Sequence, residues 1–241
     1  MWQQLRTFWG DTGLVRSIYT QECLETVEAW TGDLSKPHRD NRKKRQGIRV
    51  FRDGFVEHVL SKAHPATPAI WVVPLVGFGL YRGITSGPGG WAGTLGLFAV
   101  GVFLWTLLEY VLHRFLFHLV PTSPAGKLRA FMTHGYHHEF PDDKMRLVAP
   151  PLMSWTFGVV VGLLYFLILG KSLWLQVFVG TVGGYLAYDW IHYYTHHFHP
   201  RNRLGSWLKR YHLKHHFQAG DSRFGISSPF WDLIFRTYRR S

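Results

Sequence analysis

Ten of the fifteen histidines in this 241-residue chain fall into four clusters with repeating spacings. His113 and His118 form HRFLFH, His134, His137 and His138 form HGYHH, His192 and His196 stand in HYYTH, and His212, His215 and His216 form HLKHH. On an α-helix, positions i, i+3 and i+4 share a face. Each HxxHH cluster can therefore aim three imidazoles at one point or at two neighbouring points, and HxxxH can aim two. The HxxxxH pair is different, since five residues turn by roughly 140° around an ideal helix. Either His118 lies beyond the helix end, or His113 and His118 serve different metals. Imidazole in this number and spacing is metal-ligand chemistry. A single first-row ion takes about four to six ligands, so ten imidazoles imply two ions.

Two carboxylates stand where partners of those ligands are expected. Glu109 precedes His113 by four residues and Asp189 precedes His192 by three. Each can face its histidine and accept the free ring N–H. His197 and His199 lie off the face shared by His192 and His196 and are not counted as ligands. His38, His58 and His64 have no ligand spacing and are read as surface residues. Cys23 is the sole cysteine, which excludes a disulfide framework and a cysteine-based metal site.

The elements that must position these clusters are apolar. Trp91 to Leu112 carries Glu109 as its one charge, and Leu152 to Gly170 carries none. Runs of about 18 or more such residues are candidate membrane spans. Ala66 to Tyr81 and Leu173 to Tyr188 are shorter, and the four runs pair as two hairpins, joined by RGITSGPGG and by Gly170, Lys171 and Ser172. The expectation is an all-α integral membrane protein with about four transmembrane helices and a histidine-rich di-metal cap. It divides into residues 1–64, a basic and amphipathic N-terminal segment, and residues 65–241, the membrane domain. Asp11 to Gly32 reads as a surface helix with an acidic patch at Glu22, Glu25 and Glu28. Pro141 should end the HGYHH helix, with Asp142, Asp143, Lys144 and Arg146 facing water or headgroups before Pro150 and Pro151 open the third span.

The formal charge of +12 raises the question of nucleic acid. No recognised binding motif accompanies it, and the basic residues are confined to the N-terminal stretch, the connection between His113 and Pro150, and the tail. The two hairpin loops hold Arg82 and Lys171 alone. The positive-inside rule then places the termini, the central connection and every histidine cluster on the cytoplasmic side. MWQQLRTFWG lacks the apolar core of a signal peptide. The host membrane is expected to be endoplasmic reticulum or bacterial inner membrane.

All-nitrogen ligation suits iron, zinc or copper. A metal pair at the mouth of an apolar bundle is reachable by a cytosolic reductant and by a lipid chain, so the chemistry expected there is oxygen activation and attack on an unactivated C–H bond. That requires a redox metal and favours iron, although zinc can occupy the isolated protein. A metal transporter would place its site near the bilayer midplane, where these runs carry no histidine. A hydrolytic zinc enzyme needs three protein ligands per metal, fewer than ten histidines supply.

The order HxxxxH, HxxHH, HxxxH, HxxHH resembles the fatty acid hydroxylase superfamily. Its fatty acid 2-hydroxylase branch is resembled in EYVLHRFLFH, HGYHHEFPDDKMRLVAPP, YDWIHYYTHH and YHLKHHFQAGDSRFGISSPFWDLIF, over about Phe51 to Tyr238. The resemblance implies the ten clustered histidines as ligands of a di-iron centre. It also implies hydroxylation at C2 of a fatty acyl chain, free or within a sphingolipid, using O2 and NAD(P)H-derived electrons. A sterol, carotenoid or long-chain alcohol is the alternative substrate within the superfamily. Many members carry an N-terminal cytochrome b5 domain for which this chain has no room, so a separate donor of cytochrome b5 or ferredoxin type is expected. A second departure is Arg223, where the family usually has glycine.

Overall fold

The computed structural model describes residues 13–34, 47–119 and 122–239. His38 and most of the basic run from Lys36 lie outside these. The described residues form helices and turns, with one isolated bridge between Tyr19 and Phe51. The helices are α1 (Gly13–Ile18), α2 (Gln21–Ala29), α3 (Thr67–Ser86), α4 (Gly90–Val111), α5 (Pro124–Ala130), α6 (Tyr136–Glu139), α7 (Pro151–His197), α8 (Arg203–Phe217) and α9 (Phe230–Ile234).

Three helices are long and apolar enough to cross a membrane: α3, α4 with its π-helical extension Leu112–Phe117, and α7. Their apolar side chains point outward, with Ile70 and Ile168 each 75% exposed. Such a surface is stable where the surrounding solvent is lipid. At about 1.5 Å per residue, a straight α7 would run for roughly 70 Å, far more than the hydrocarbon core of about 30 Å. It does not run straight. Gly170 has φ 67° and ψ 177°, a region open essentially to glycine, and residues 171–197 fold back along residues 151–169. Phe166 stacks edge-on against Trp174, and the Thr181 hydroxyl meets the Tyr165 hydroxyl. The four apolar runs thus occupy three helices, the last bent into a hairpin.

Small residues let the bundle close. A Cβ on Gly101 would overlap the Val177 carbonyl, and one on Gly180 would overlap the Phe98 carbonyl, so α4 and α7 cross in backbone contact. Close approach of this kind is how apolar helices associate without a hydrophobic driving force. Trp105 fills the neighbouring layer against Tyr185 and Tyr188.

The cap has its own core. Cys23, Leu24, Val27 and Trp30 of the N-terminal region pack with Leu128, Phe131, Tyr136 and Phe140. The expected single surface helix is therefore two short helices broken before Thr20, whose side chain caps α2 by accepting from Cys23 N. Glu22 is exposed and Glu25 and Glu28 are half-buried, whereas Cys23, Leu24 and Val27, spaced three and four residues apart, bury against the cap. Within DDKMR, Asp142 and Lys144 stay exposed as expected, whereas Asp143 and Arg146 turn inward. Arg146 donates to Glu57, Asp143, the Tyr136 hydroxyl and the Ile48 carbonyl. This ties residues 48–57 to α6, because a guanidinium with five donors is satisfied there only by several acceptors at once. Glu139 ends α6 two residues before Pro141, as the sequence predicts.

Candidate metal centre

The ten clustered histidines converge as two groups of five. His113, His118, His134, His138 and His215 form the first; His137, His192, His196, His212 and His216 form the second. Within each group the ligand-competent nitrogens all lie within 4.8 Å of one another. Neighbouring Nε2 atoms are 2.7 to 3.2 Å apart. Metal–imidazole bonds of about 2.0–2.1 Å place adjacent ligands at about this spacing.

Local backbone explains the partition. The i→i+5 bond from His118 N to the His113 carbonyl closes a π-turn, which brings positions five apart onto one face. His118 sits at the end of that turn, and both histidines join the first group. The HxxHH clusters each divide: His134 and His138 go to the first group and His137 to the second, whereas His212 and His216 go to the second and His215 to the first. Two residues thus cross over, and the rings of His138 and His216 stack at 4.0 Å between the groups.

The first group has a proton count that hydrogen bonding cannot satisfy. His113 Nδ1 meets the Phe224 carbonyl at 2.6 Å, His138 Nδ1 the Leu34 carbonyl at 2.7 Å, and His215 Nδ1 the Ser222 carbonyl at 2.6 Å. A carbonyl accepts, so these three Nδ1 atoms carry hydrogen and their Nε2 atoms present lone pairs. Four Nε2···Nε2 contacts remain, each involving His134 or His118, and these two rings supply at most two protons. Lone pairs are therefore left facing one another, an arrangement that a cation stabilises. Burial works in the same direction. It pushes His137 down to about 3 and His215 down to about 4, and it holds His118, His134 and His138 well below the usual range. Neutral imidazole is the form that binds metal. The donor set fits two metal ions, each with five nitrogens and no carboxylate.

The expected carboxylate contacts are arranged differently. Glu109 does not bond to His113. It accepts from the backbone N–H of Ile226 and Ser227 and from the Ser227 hydroxyl, and the loop it anchors supplies the Phe224 carbonyl to His113. The helix before His113 points Glu109 at this loop, leaving the Nδ1 position to a backbone acceptor. Asp189 is also buried, but no hydrogen bond joins it to His192, and its Oδ2 has no partner among the described residues. His197 and His199 belong to neither group, and His58 and His64 are exposed.

Sequence reasoning missed Asp232. Its Oδ1 accepts from Phe224 N and the Thr237 hydroxyl, and its Oδ2 from Gly225 N and the Tyr211 hydroxyl. It holds the same loop from the other side. Leu34, Ser222 and Phe224 were missed too, since they act through carbonyls that any residue type carries. The one available signal was the tight FGI turn: a Cβ on Gly225 would overlap the Ser228 carbonyl.

The Fatty acid hydroxylase family model matches residues 98–237. A dihydroceramide fatty acyl 2-hydroxylase of Arabidopsis thaliana is 36% identical over 80% of this chain and 81% of its own length. The fatty acid 2-hydroxylase of Homo sapiens is 38% identical over 79% of this chain and 56% of its own. A solved structure described as full-length scs7p, with only the hydroxylase domain visible, superposes with a TM-score of 0.72 at 36% identity, covering 78% of this chain and 70% of that one. The chain belongs to the fatty acid hydroxylase family.

Proposed function

We propose that this protein is a di-iron membrane monooxygenase that hydroxylates C2 of a fatty acyl chain, free or carried on a sphingolipid, with O2 and NAD(P)H-derived electrons. The observation that carries the reading is the convergence of ten imidazoles, in two carboxylate-free groups of five, at one end of an apolar helical bundle. Iron held by these ten histidines supplies redox chemistry able to activate O2, which zinc lacks. The side chains of the chain do the rest by placement. Carbonyls of Leu34, Ser222 and Phe224 orient three of the rings, and Glu109 and Asp232 hold the loop that provides two of them. Burial of nearly every ligand keeps bulk water from the centre. Exposed Phe115, Leu116, Leu119 and Trp190 at the cap end of the spans offer an apolar approach for an acyl chain from the bilayer.

The relatives' names supply the acyl 2-position and the ceramide carrier. The distribution of basic residues supports a cytoplasmic cap, where a separate redox protein of cytochrome b5 or ferredoxin type delivers electrons. Expression of iron-loaded protein with a competent donor, in a host lacking 2-hydroxy lipids, should yield 2-hydroxy acyl chains by lipid mass spectrometry. Product oxidised elsewhere, or on a sterol, or no product from metal-replete protein, overturns the assignment.

A further inference from the structure

The C-terminal part of the cap carries a half-open cavity of about 570 Å³ on a face of α8 other than the one bearing its histidines. Arg210, Lys214, Arg223 and Arg239 line it, and none of its lining residues is acidic. Asp221 at the rim pairs with Arg239, but both side chains are more than half exposed, which makes the pair weak. Asp232, which accepts from the lining residue Tyr211, is the other carboxylate beside it. The four cationic side chains of the lining outnumber these two carboxylates, which leaves the cavity net positive.

Its other wall includes Pro229 and Leu233, just before and on a helix that packs against the apolar span α4. Leu233 of α9 lines it, and Phe230, Leu233, Ile234 and Phe235 are all exposed. Helix α9 packs on α4 through Phe103, and the Trp231 indole donates to Thr106 at 2.9 Å. Phe103 lies ten residues before His113, hence about 15 Å down the span. The cavity thus joins a cationic wall on the cap to a wall carried by a helix that rests on the apolar bundle.

Arg223 adds an independent sign. It has φ 59°, a left-handed conformation that favours glycine. Its guanidinium is buried and donates to the Ser222 hydroxyl and the Arg239 carbonyl. A branched or long side chain in that conformation is strained, and such strain clusters at binding sites.

We propose that this cavity binds the phosphate headgroup of an anionic phospholipid, whose acyl chains lie on the exposed apolar face of α9. The assignment is independent of the metal chemistry. It is tested with the full chain in nanodiscs of phosphatidylcholine containing a minority of phosphatidylglycerol, by native mass spectrometry of retained lipid. Phosphatidylglycerol should be retained in preference to phosphatidylcholine. The preference should fall about 5-fold in Arg239→Gln, whose exposed side chain can be changed without unfolding, and further in Arg210→Gln/Arg239→Gln. Lys171→Gln, in the far hairpin loop, should leave it unchanged. Equal retention of both lipids in the wild type, a preference unaltered in both variants, or full displacement of lipid by inorganic phosphate would each overturn the proposal, the last by assigning the site to a free anion.

Discussion

Asp232→Asn separates the two histidine groups by a change that touches neither. Each Asp232 oxygen accepts from one backbone N–H and one hydroxyl: Phe224 N at 2.9 Å and Thr237 Oγ1 at 2.6 Å on Oδ1, Gly225 N at 2.8 Å and Tyr211 Oη at 2.9 Å on Oδ2. The amide must replace one oxygen with a donor. The hydroxyl on that side can rotate and accept, but the backbone N–H cannot, so either orientation leaves one buried N–H facing another donor. That costs about 1–3 kcal/mol, which bounds the effect on loop geometry at roughly 5- to 150-fold in an equilibrium constant. The loop supplies carbonyls to His113 and His215, both of the first group, and loss of such partners weakens metal binding by about 10- to 100-fold. The second group makes no described contact with this loop. The metal-to-protein ratio, measured by mass spectrometry across a chelator titration, should fall from two to one at chelator concentrations that leave the wild type replete. Parallel loss from both sites, or a ratio that stays at two throughout, would refute the argument that the loop serves the first group.

The crossing histidines give a second test: His137→Ala should release the metal of the second group and His215→Ala that of the first, each lowering the ratio towards one. Gly170→Ala places a side chain at φ 67° and ψ 177°, which should lower stability by about 1–3 kcal/mol, seen as a lower melting temperature in detergent; an unchanged melt would mean that the turn is not strained by alanine. Arg146→Ala leaves Glu57 with Lys62 at 3.4 Å and the Val50 and Phe51 N–H groups, so the loss is that of one charged hydrogen bond, about 1.5–3 kcal/mol by denaturation. In the wild type, burial raises the Glu57 carboxyl, but the Phe51 and Val50 N–H groups and Arg146 outweigh it and hold it below 4.5. A lowered folded value means that this stabilisation is complete above the unfolded value of 4.5 and is lost as pH falls through the lower folded value. Melting temperature should therefore drop on acidification below about 4.5 in the wild type, and less steeply in Arg146→Ala.

Some of this protein was written in local spacing. Histidines three and four apart, apolar runs bounded by glycine and proline, and charges confined to particular connections are all properties of neighbouring residues. Helix geometry turns them directly into faces and spans, and so the ten clustered histidines, the helical class and the hairpin at Gly170 could be read from the chain. The break before Thr20 and the inward turn of Arg146 could not, because the partners of those residues lie on segments distant in the chain. The same holds for Glu109, whose helical neighbour His113 looked like its partner until the 226–227 backbone took the carboxylate.

What tertiary structure alone decided is how ten similar side chains divide into two groups of five and which atoms orient them. The HRFLFH pair depended on a π-turn, and the split of each HxxHH cluster depended on the angle at which separate helices meet. Three rings are oriented by the carbonyls of Leu34, Ser222 and Phe224. Every residue type has a carbonyl, so side-chain identity holds no trace of that role; only the path of the chain brings each one to its imidazole.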